Sequence, residues 1–417
     1  MSNPPHPNDP VSLAGDLGET IAVILVNYNS GPQLARALDS LVVQTRAPDE
    51  ILVVDNGSTD GSLGLVDWQR HPDLKLLCLS GNFGFAAATN AAARAARSRW
   101  LAMLNCDAEA EPGWLEALLR AAGRHPGCGV FASAQALLDR PSVLDGAGDV
   151  YSATGLAWRG SHGRPLAEMP GEGRCFGACA AGAFMSRRLF LDLGGFEESF
   201  FCYLEDVDFA CRARLAGQEC VFVPSARILH RSGGCSGAKS DWTLRISSRN
   251  RLRLYLRNTP LLLLLATWPL FLFGVWLSLL QAMRHRRGRA VLGGLADGLR
   301  QLPGTLRQRR QPVAATPRGP GPDLHCSRPV ARPSGTVPMI RAGLRRGGLL
   351  RGLRPMPPAA VSGHGRTGPA VDGGSGAAAV REPAQVLATQ ECIRCVRRRI
   401  HGRAAGAGFP ESRPKPG

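Results

Sequence analysis

The 417-residue chain contains no G-x-x-x-x-G-K-[ST] loop, which excludes a P-loop cradle for a triphosphate. Its nearest approach to a dinucleotide fingerprint is Gly81-Asn82-Phe83-Gly84. That run follows the third apolar segment and lacks the first glycine of G-x-G-x-x-G. The segment from Asp55 has the composition of a calcium loop, but Gly57 stands where an oxygen ligand is needed and Val66 where the bidentate glutamate belongs. Twelve cysteines show neither zinc nor disulfide spacing. Cys175-x3-Cys179 has no second pair beside it, and Cys392-x2-Cys395 stands alone. No signal peptide opens the sequence, so reduced thiols in a cytosolic compartment are expected, most of them core fillers.

The first two-thirds of the chain also lacks a basic excess. The net charge of +17 is local: residues 1–283 hold 25 Lys/Arg against 27 Asp/Glu, 284–310 eight Arg against one Asp, and 311–417 17 Lys/Arg against five Asp/Glu. The basicity therefore does not describe the half that carries the motifs. The last 107 residues hold 17 Gly and 15 Pro with no period, which predicts disorder. Aromatic interleaving is missing there too, so nucleic-acid binding is not expected. The Arg/Pro/Gly/Ala bias is that of a GC-rich gene read out of frame, and a frameshifted C-terminus is the hypothesis it motivates. Related proteins carrying the same tail in an intact frame would refute it.

What is present is an alternation of strands and helices. Residues 1–19 lack periodicity and read as a loose arm. Ile21–Val26, Ile51–Val54, Leu74–Leu79 and Trp100–Leu104 are buried-strand runs. Pro32–Val43, with Leu34, Leu38 and Leu41 on one side, Ala-rich Gly84–Arg97 and the segment opened by Pro112 are predicted helices. The pattern predicts an α/β domain with a mostly parallel sheet. Further on, Leu204–Ala216 reads as a helix closed by Gly217, and Cys220–Pro224 as a strand leading to Arg227–His230.

Leu261–Leu280 is 20 residues without charge, long enough to span a bilayer. Pro269 interrupts it, and arginine is dense on both sides (Arg249, Arg251, Arg253, Arg257; Arg284, Arg286, Arg287, Arg289). A helix pair lying in the membrane interface, held by those arginines on anionic lipid, fits equally well. A buried helix of a soluble core is the third reading.

The densest chemical signal is Phe200-Phe201-Cys202-Tyr203-Leu204-Glu205-Asp206-Val207-Asp208-Phe209. Three carboxylates sit among aromatic residues, where burial is costly unless they are paired or used. A general base with raised proton affinity is one reading, and acids at a helix N-terminus the other. Polar clusters also stand at each expected strand end: Asn27-Tyr28-Asn29, Asp55–Gly61, Gly81–Gly84 and Asn105-Cys106-Asp107. In open α/β sheets ligands bind beyond the carboxyl ends of the strands, so four clusters outline a polar rim. Asp107 and the distant His230 could share a divalent cation; separately, each is an ordinary cap or core residue.

Val26–Asn29, Val54–Gly61, Asn82–Gly84, Leu104–Asp107, Gly194-Gly-Phe-Glu197, Tyr203–Phe209 and His230, in that order and spacing, resemble the family 2 glycosyltransferases, within them the bacterial rhamnosyltransferase-like branch. The resemblance covers roughly residues 20–310. It implies the GT-A nucleotide-diphospho-sugar transferase fold, a nucleotide-sugar donor, a divalent Mg2+ or Mn2+ and inversion at the anomeric carbon. It implies that Asn27, Tyr28 and Asp55 hold the nucleoside and that Asn82 sits near ribose or phosphates. Asp107 becomes the metal-binding end of the D-x-D motif, His230 completes the metal shell, and Asp206 is the base with Glu205 in support. Asp208 reads as a structural cap. Asn105 replaces the motif's first Asp, leaving one fewer anionic ligand.

The expectation is thus an arm (1–19), a glycosyltransferase domain (20–245), a basic and apolar membrane-associated helical segment (246–310) and a tail (311–417). The enzyme would work at the cytoplasmic face of the inner membrane. Its donor would be a dTDP- or UDP-sugar and its acceptor a lipid-linked or cell-envelope glycan. Acceptor residues are expected in 129–200, with Cys175–Cys179 as one wall. A catalytically weak binding module is the alternative. A nucleotidyltransferase is disfavoured because residues 27–35 contain no basic residue to cradle a triphosphate.

Overall fold

The computed structural model describes residues 19–71, 74–232 and 240–309. The arm, save its last residue, and the expected disordered tail lie outside the described residues. The first half alternates as predicted: β1 (Ile21–Asn27), α1 (Gln33–Val42), β2 (Glu50–Asp55), β3 (Lys75–Cys78), α2 (Phe85–Ala95) and β4 (Trp100–Met103). Strands β1 to β4 pair in parallel, in the order β3-β2-β1-β4. Both faces of β1 are buried, as its unbroken apolar run requires. The periodic leucines of α1 (Leu34, Leu38, Leu41) pack onto one face with Ala37.

The sheet becomes mixed beyond β4. The chain continues through β5 (Ala108–Ala110), α3 (Trp114–Arg124), β6 (Val130–Leu137), β7 (Arg140–Ala147), β8 (Asp149–Tyr151), β9 (Ala157–Arg159), β10 (Gly173–Cys175), β11 (Ala183–Ser186), α4 (Arg187–Asp192), α5 (Glu205–Leu215) and β12 (Cys220–His230). The main order is β10-β12-β6-β11-β4-β1-β2-β3, with β5 on β12 and β7 on β6, while β8 and β9 form a separate hairpin. Strand β11 runs antiparallel to both β4 and β6, whereas β12 returns parallel to β6. Helical crossovers keep the first four strands parallel; β6 to β7 is a direct hairpin and cannot. The two expected runs from Cys220 and Arg227 are one strand whose register shifts between Val223 and Arg227. Pro224, which has no N–H for the ladder, lies in that shift.

Four helices follow: α6 (Asp241–Asn258), α7 (Leu261–Arg284), α8 (Gly288–Arg300) and α9 (Leu302–Arg309). Helix α7 has 24 residues and is about 36 Å long. Only 11% of its most apolar window is buried, so it is not the core helix of the third reading. One side packs on α6: Tyr255 stacks on Phe271 with centroids 4.1 Å apart, and Tyr255 Oη lies 2.9 Å from Thr267 Oγ1. Leu262, Leu265, Leu272, Phe273 and Trp276 face outward.

The arginines before α7 are not lipid-facing, contrary to the symmetric flank expected from the sequence. Arg249 donates to the Phe200 carbonyl, Arg253 to the Ser199 carbonyl, and Arg257 pairs with Asp208 and Glu197. Arg251 is buried as well. Loop 197–208 takes up much of this charge, leaving Arg284, Arg286 and Arg289 as the exposed group. Seven described cysteines, Cys106, Cys128, Cys175, Cys179, Cys202, Cys211 and Cys220, are free thiols.

Candidate active site

Asp206 is the second residue of α5 and lines a cavity of about 850 Å³. Its Oδ1 accepts from Val207 N at 2.8 Å and its Oδ2 from Ala180 N at 3.1 Å. The next residue, Ala181, accepts from Asn105 N at 3.2 Å, so one short segment joins Asp206 to the end of β4. Burial raises the Asp206 carboxyl above its usual range, against the pull of those two amides and of Arg159. Glu205 and Asp149, both buried, are raised well above the ordinary carboxylate range by burial and by the Asp206 charge. Glu205 Oε2 and Asp149 Oδ2 have no hydrogen-bond partner among the described residues.

The loop entering α5 is strained. Phe201, Tyr203 and Leu204 have φ of 65°, 70° and 68°, a left-handed region disfavoured for such side chains. Fully buried Asn250 on α6 holds this loop, donating from Nδ2 to the carbonyls of Phe200 (3.0 Å), Cys202 (2.9 Å) and Tyr203 (2.7 Å). Gly84 completes the clamp from the other side. At its φ of +87°, a Cβ would stand 2.5 Å from the Phe201 carbonyl oxygen. Asp208, expected as a cap, makes no cap bond. Fully buried, it binds Arg212 Nε at 2.9 Å, Asn258 Nδ2 at 2.7 Å and Arg257, so it ties α5 to α6. The reason is its place one turn before Arg212 and opposite α6.

The Asp107–His230 pairing is real. β5 pairs with the end of β12 so that His230 faces Ala108, and His230 Nε2 lies 3.3 Å from Asp107 Oδ1. Both residues are buried. His230 Nδ1 lies 2.8 Å from Asp145 Oδ2, and Arg159 pairs with the same carboxylate. Burial opposes ionisation of Asp145, but the bond from His230 and the Arg159 charge hold its carboxyl below the usual range. A carboxylate behind an imidazole is the arrangement that orients a metal-binding histidine. Two donors 3.3 Å apart can share one ion at ligand distances of about 2.1 Å. No group of three such ligands stands together among the described residues, so remaining ligands would come from diphosphate oxygens and water.

Asp145, Asp149 and Arg159 carry no sequence signal. Asp145 occupies the irregularity between the pairs Gln135–Gly146 and Ala136–Leu144, where a bulge re-aims a side chain. Asp149 and Arg159 face each other in the β8–β9 hairpin.

The expected nucleoside group is assembled at the ends of β1 and β2 and does not line the cavity. Asn27 is fully buried, donating to Asp55 Oδ1 at 2.9 Å, Ser62 Oγ at 2.9 Å and Ser58 Oγ at 3.1 Å. Its carbonyl oxygen accepts from Ser30, so its polar atoms are used within the protein and it acts by fixing Asp55. Tyr28 is exposed above it. Exposed Asn82 accepts from Asn56 Nδ2 and Gly84 N, each at 3.0 Å. Gly57 lets these loops meet, since a Cβ there would stand 2.7 Å from Gly81 Cα. Of the Cys175–Cys179 wall, Cys179 lines the cavity, whereas Cys175 faces Cys220 at 3.4 Å.

Residues 22–190 match the family model described as glycosyl transferase family 2. An N-acetylglucosaminyl-diphospho-decaprenol L-rhamnosyltransferase of Mycobacterium tuberculosis is 32% identical over 251 residues, covering 52% of this chain and 78% of its own. The O-antigen biosynthesis protein RfbC of Myxococcus xanthus is 33% identical over 218 residues, 50% of this chain and 17% of its own. Among solved structures, GalNAc-T7 with UDP, GalNAc and Mn2+ aligns over 57% of this chain and 48% of its own, with 17% identity and a TM-score of 0.47, too slight a likeness to build on.

Proposed function

The chain belongs to glycosyl transferase family 2, and from that premise we propose that it is an inverting transferase moving a sugar to a lipid-linked acceptor of the cell envelope. The donor is dTDP-rhamnose or a UDP-hexose. Asp206 carries the reading: a carboxylate at the wall of a large cavity, oriented by two backbone amides and raised by burial. Inversion needs one base to take the acceptor hydroxyl proton as the oxygen attacks the anomeric carbon. Asp206 is that base, with Glu205 beside it in support. Asp107 and His230 would hold a Mg2+ or Mn2+, which supplies positive charge to the departing diphosphate. Asn105 borders the cavity between the two. Tyr28, Asp55 and Asn82, with Asn27 beneath them, form the nucleoside side.

Helix α7 supports attachment to the cytoplasmic face of the inner membrane. It lies against α6 from Leu264, which accepts from Tyr255 Oη, to Ser278, which accepts from Arg251. A helix tied along that length to α6, which is itself bonded to loop 197–208, favours lying in the interface over crossing the bilayer. Its outward leucines and tryptophans meet acyl chains, and Arg284, Arg286 and Arg289 meet anionic headgroups.

The test is thermal stabilisation of the full chain by a panel of nucleotide sugars, with and without Mg2+ or Mn2+. A ligand at one hundred times its dissociation constant adds about 2.7 kcal/mol. Cation-dependent stabilisation by one dTDP- or UDP-sugar is expected and names the donor. Stabilisation by none would leave a non-catalytic binding module.

A further inference from the structure

Arg251 is a buried cation without a counter-ion. It is 8% exposed, and no carboxylate lies within ion-pair distance of it among the described residues. Its terminal nitrogens donate to neutral oxygens: Thr154 O at 2.8 Å, Ser278 Oγ at 2.8 Å and Gly274 O at 3.2 Å. Its Nε has no partner. Burial depresses its pKa to about 10, and the nearest charge-compensating group is the Phe271 ring, whose centroid lies 5.4 Å from the guanidinium carbon. An unpaired buried charge is costly, and proteins keep one where a ligand completes it.

Two other α6 arginines, Arg249 and Arg253, also lack a carboxylate partner and also donate to neutral oxygens, those of Ser199 and Phe200, but neither lines the cavity. Arg251 instead lines the active-site cavity. The cavity wall is polarised. Its acidic residues, Asp149, Glu205 and Asp206, belong to β8 and α5, and none comes from α6, α7 or α8. Those helices and their junction contribute Arg251, Ser247, Ser248, Gln281, His285 and Arg287, the last also 3.6 Å from Asp241 of α6 outside the cavity lining. This is the composition of a phosphate site.

We infer that Arg251, with Ser247, Ser248, His285 and Arg287 nearer the helix junction, binds the diphosphate of the lipid-linked acceptor. The inference rests on the function proposed above and adds where the acceptor sits. The diphosphate is held by α6 to α8, the acceptor sugar reaches Asp206, and the polyprenyl chain leaves along the outward face of α7. Donor diphosphate is not the anion meant, because Asp107 and His230, which would hold the donor's cation, do not line this cavity.

Two measurements on the full chain separate this subsite from the wider reading. The first is thermal stabilisation by inorganic pyrophosphate without added metal, wild type against R251Q. The second is KM for N-acetylglucosaminyl-diphospho-polyprenol and, separately, for the donor. R251Q is expected to lose the pyrophosphate stabilisation and to raise the acceptor KM about ten- to hundredfold, with donor KM unchanged. Stabilisation equal in the two proteins, or an unchanged acceptor KM in folded R251Q, would overturn the subsite while leaving the transferase reading intact. A wild type stabilised by pyrophosphate through Arg251 but transferring only to phosphate-free glycans would refute the lipid-linked acceptor instead. If R251Q loses binding to phosphatidylglycerol vesicles rather than to pyrophosphate, Arg251 reads membrane headgroups and the subsite is again overturned. Should R251Q not fold, R287Q at the half-exposed lip carries the same test, with a smaller rise in acceptor KM expected.

Discussion

Replacing Asn250 by alanine should damage catalysis from a position that touches no substrate. Its amide nitrogen lies within 3.0 Å of three carbonyl oxygens in the loop before α5. Two amide protons satisfy the equivalent of two hydrogen bonds, and each buried acceptor left unpaired costs about 1–3 kcal/mol. The loss in folding stability should therefore be about 2–6 kcal/mol. Three left-handed residues in the same loop store roughly 1–3 kcal/mol each, which favours relaxation once the clamp is gone. Relaxation moves Leu204, the residue leading into α5, and with it the Asp206 carboxylate. Denaturant unfolding and steady-state transfer measure both effects. N250A should lower kcat at least tenfold, leave donor KM nearly unchanged and unfold at lower denaturant. Wild-type kcat in destabilised N250A would refute the coupling of clamp and base. Wild-type stability would refute the hydrogen-bond account itself.

The same loop predicts that G84A loses about 1–3 kcal/mol of stability, because its Cβ meets the Phe201 carbonyl at a φ few side chains adopt; denaturant melts measure it, and an unchanged midpoint would contradict it. Acid stability should depend on Glu50. Burial opposes its ionisation, but Lys75, Ser98 and the Arg97 and Ser98 amides outweigh this and lower its pKa from 4.5 to about 2. A depressed carboxylate contributes stability above the unfolded pKa that is lost as pH falls from about 4.5 towards 2. E50Q should melt with a flatter pH dependence in that window; an unchanged slope would remove Glu50 from the account.

The residues legible in the sequence were those whose meaning is local. Unbroken apolar runs gave β1 and β2, leucine spacing gave α1, and the acidic segment gave α5 with Asp206 at its start. For the distant pair Asp107 and His230 the residues allowed a shared cation beside an ordinary cap and core reading, the resemblance implied the metal roles, and β5 on β12 brings the two together. Asp145 was not readable, because its direction depends on a bulge between β6 and β7. Asp149 and Arg159 meet through a hairpin, and Asn250 reaches back about 50 residues to its loop. Each sits in a stretch of ordinary composition. The arginines around α7 show the limit of composition most plainly. As a string they form two equal basic flanks, but in the fold Arg249, Arg253 and Arg257 of the first are bound to loop 197–208 and neighbouring α5, whereas Arg284, Arg286 and Arg289 of the second are exposed.

The most direct test of the central claim is single-turnover transfer by D206N, with donor binding measured on the same protein. Loss of the base predicts a rate lowered on the order of a hundredfold or more, with donor affinity and melting temperature close to wild type. The surviving wild-type activity should also rise with pH through a midpoint above the 3.8 of a free aspartate, since burial raises this carboxyl. A folded D206N that binds donor and transfers sugar at nearly the wild-type rate would contradict the account.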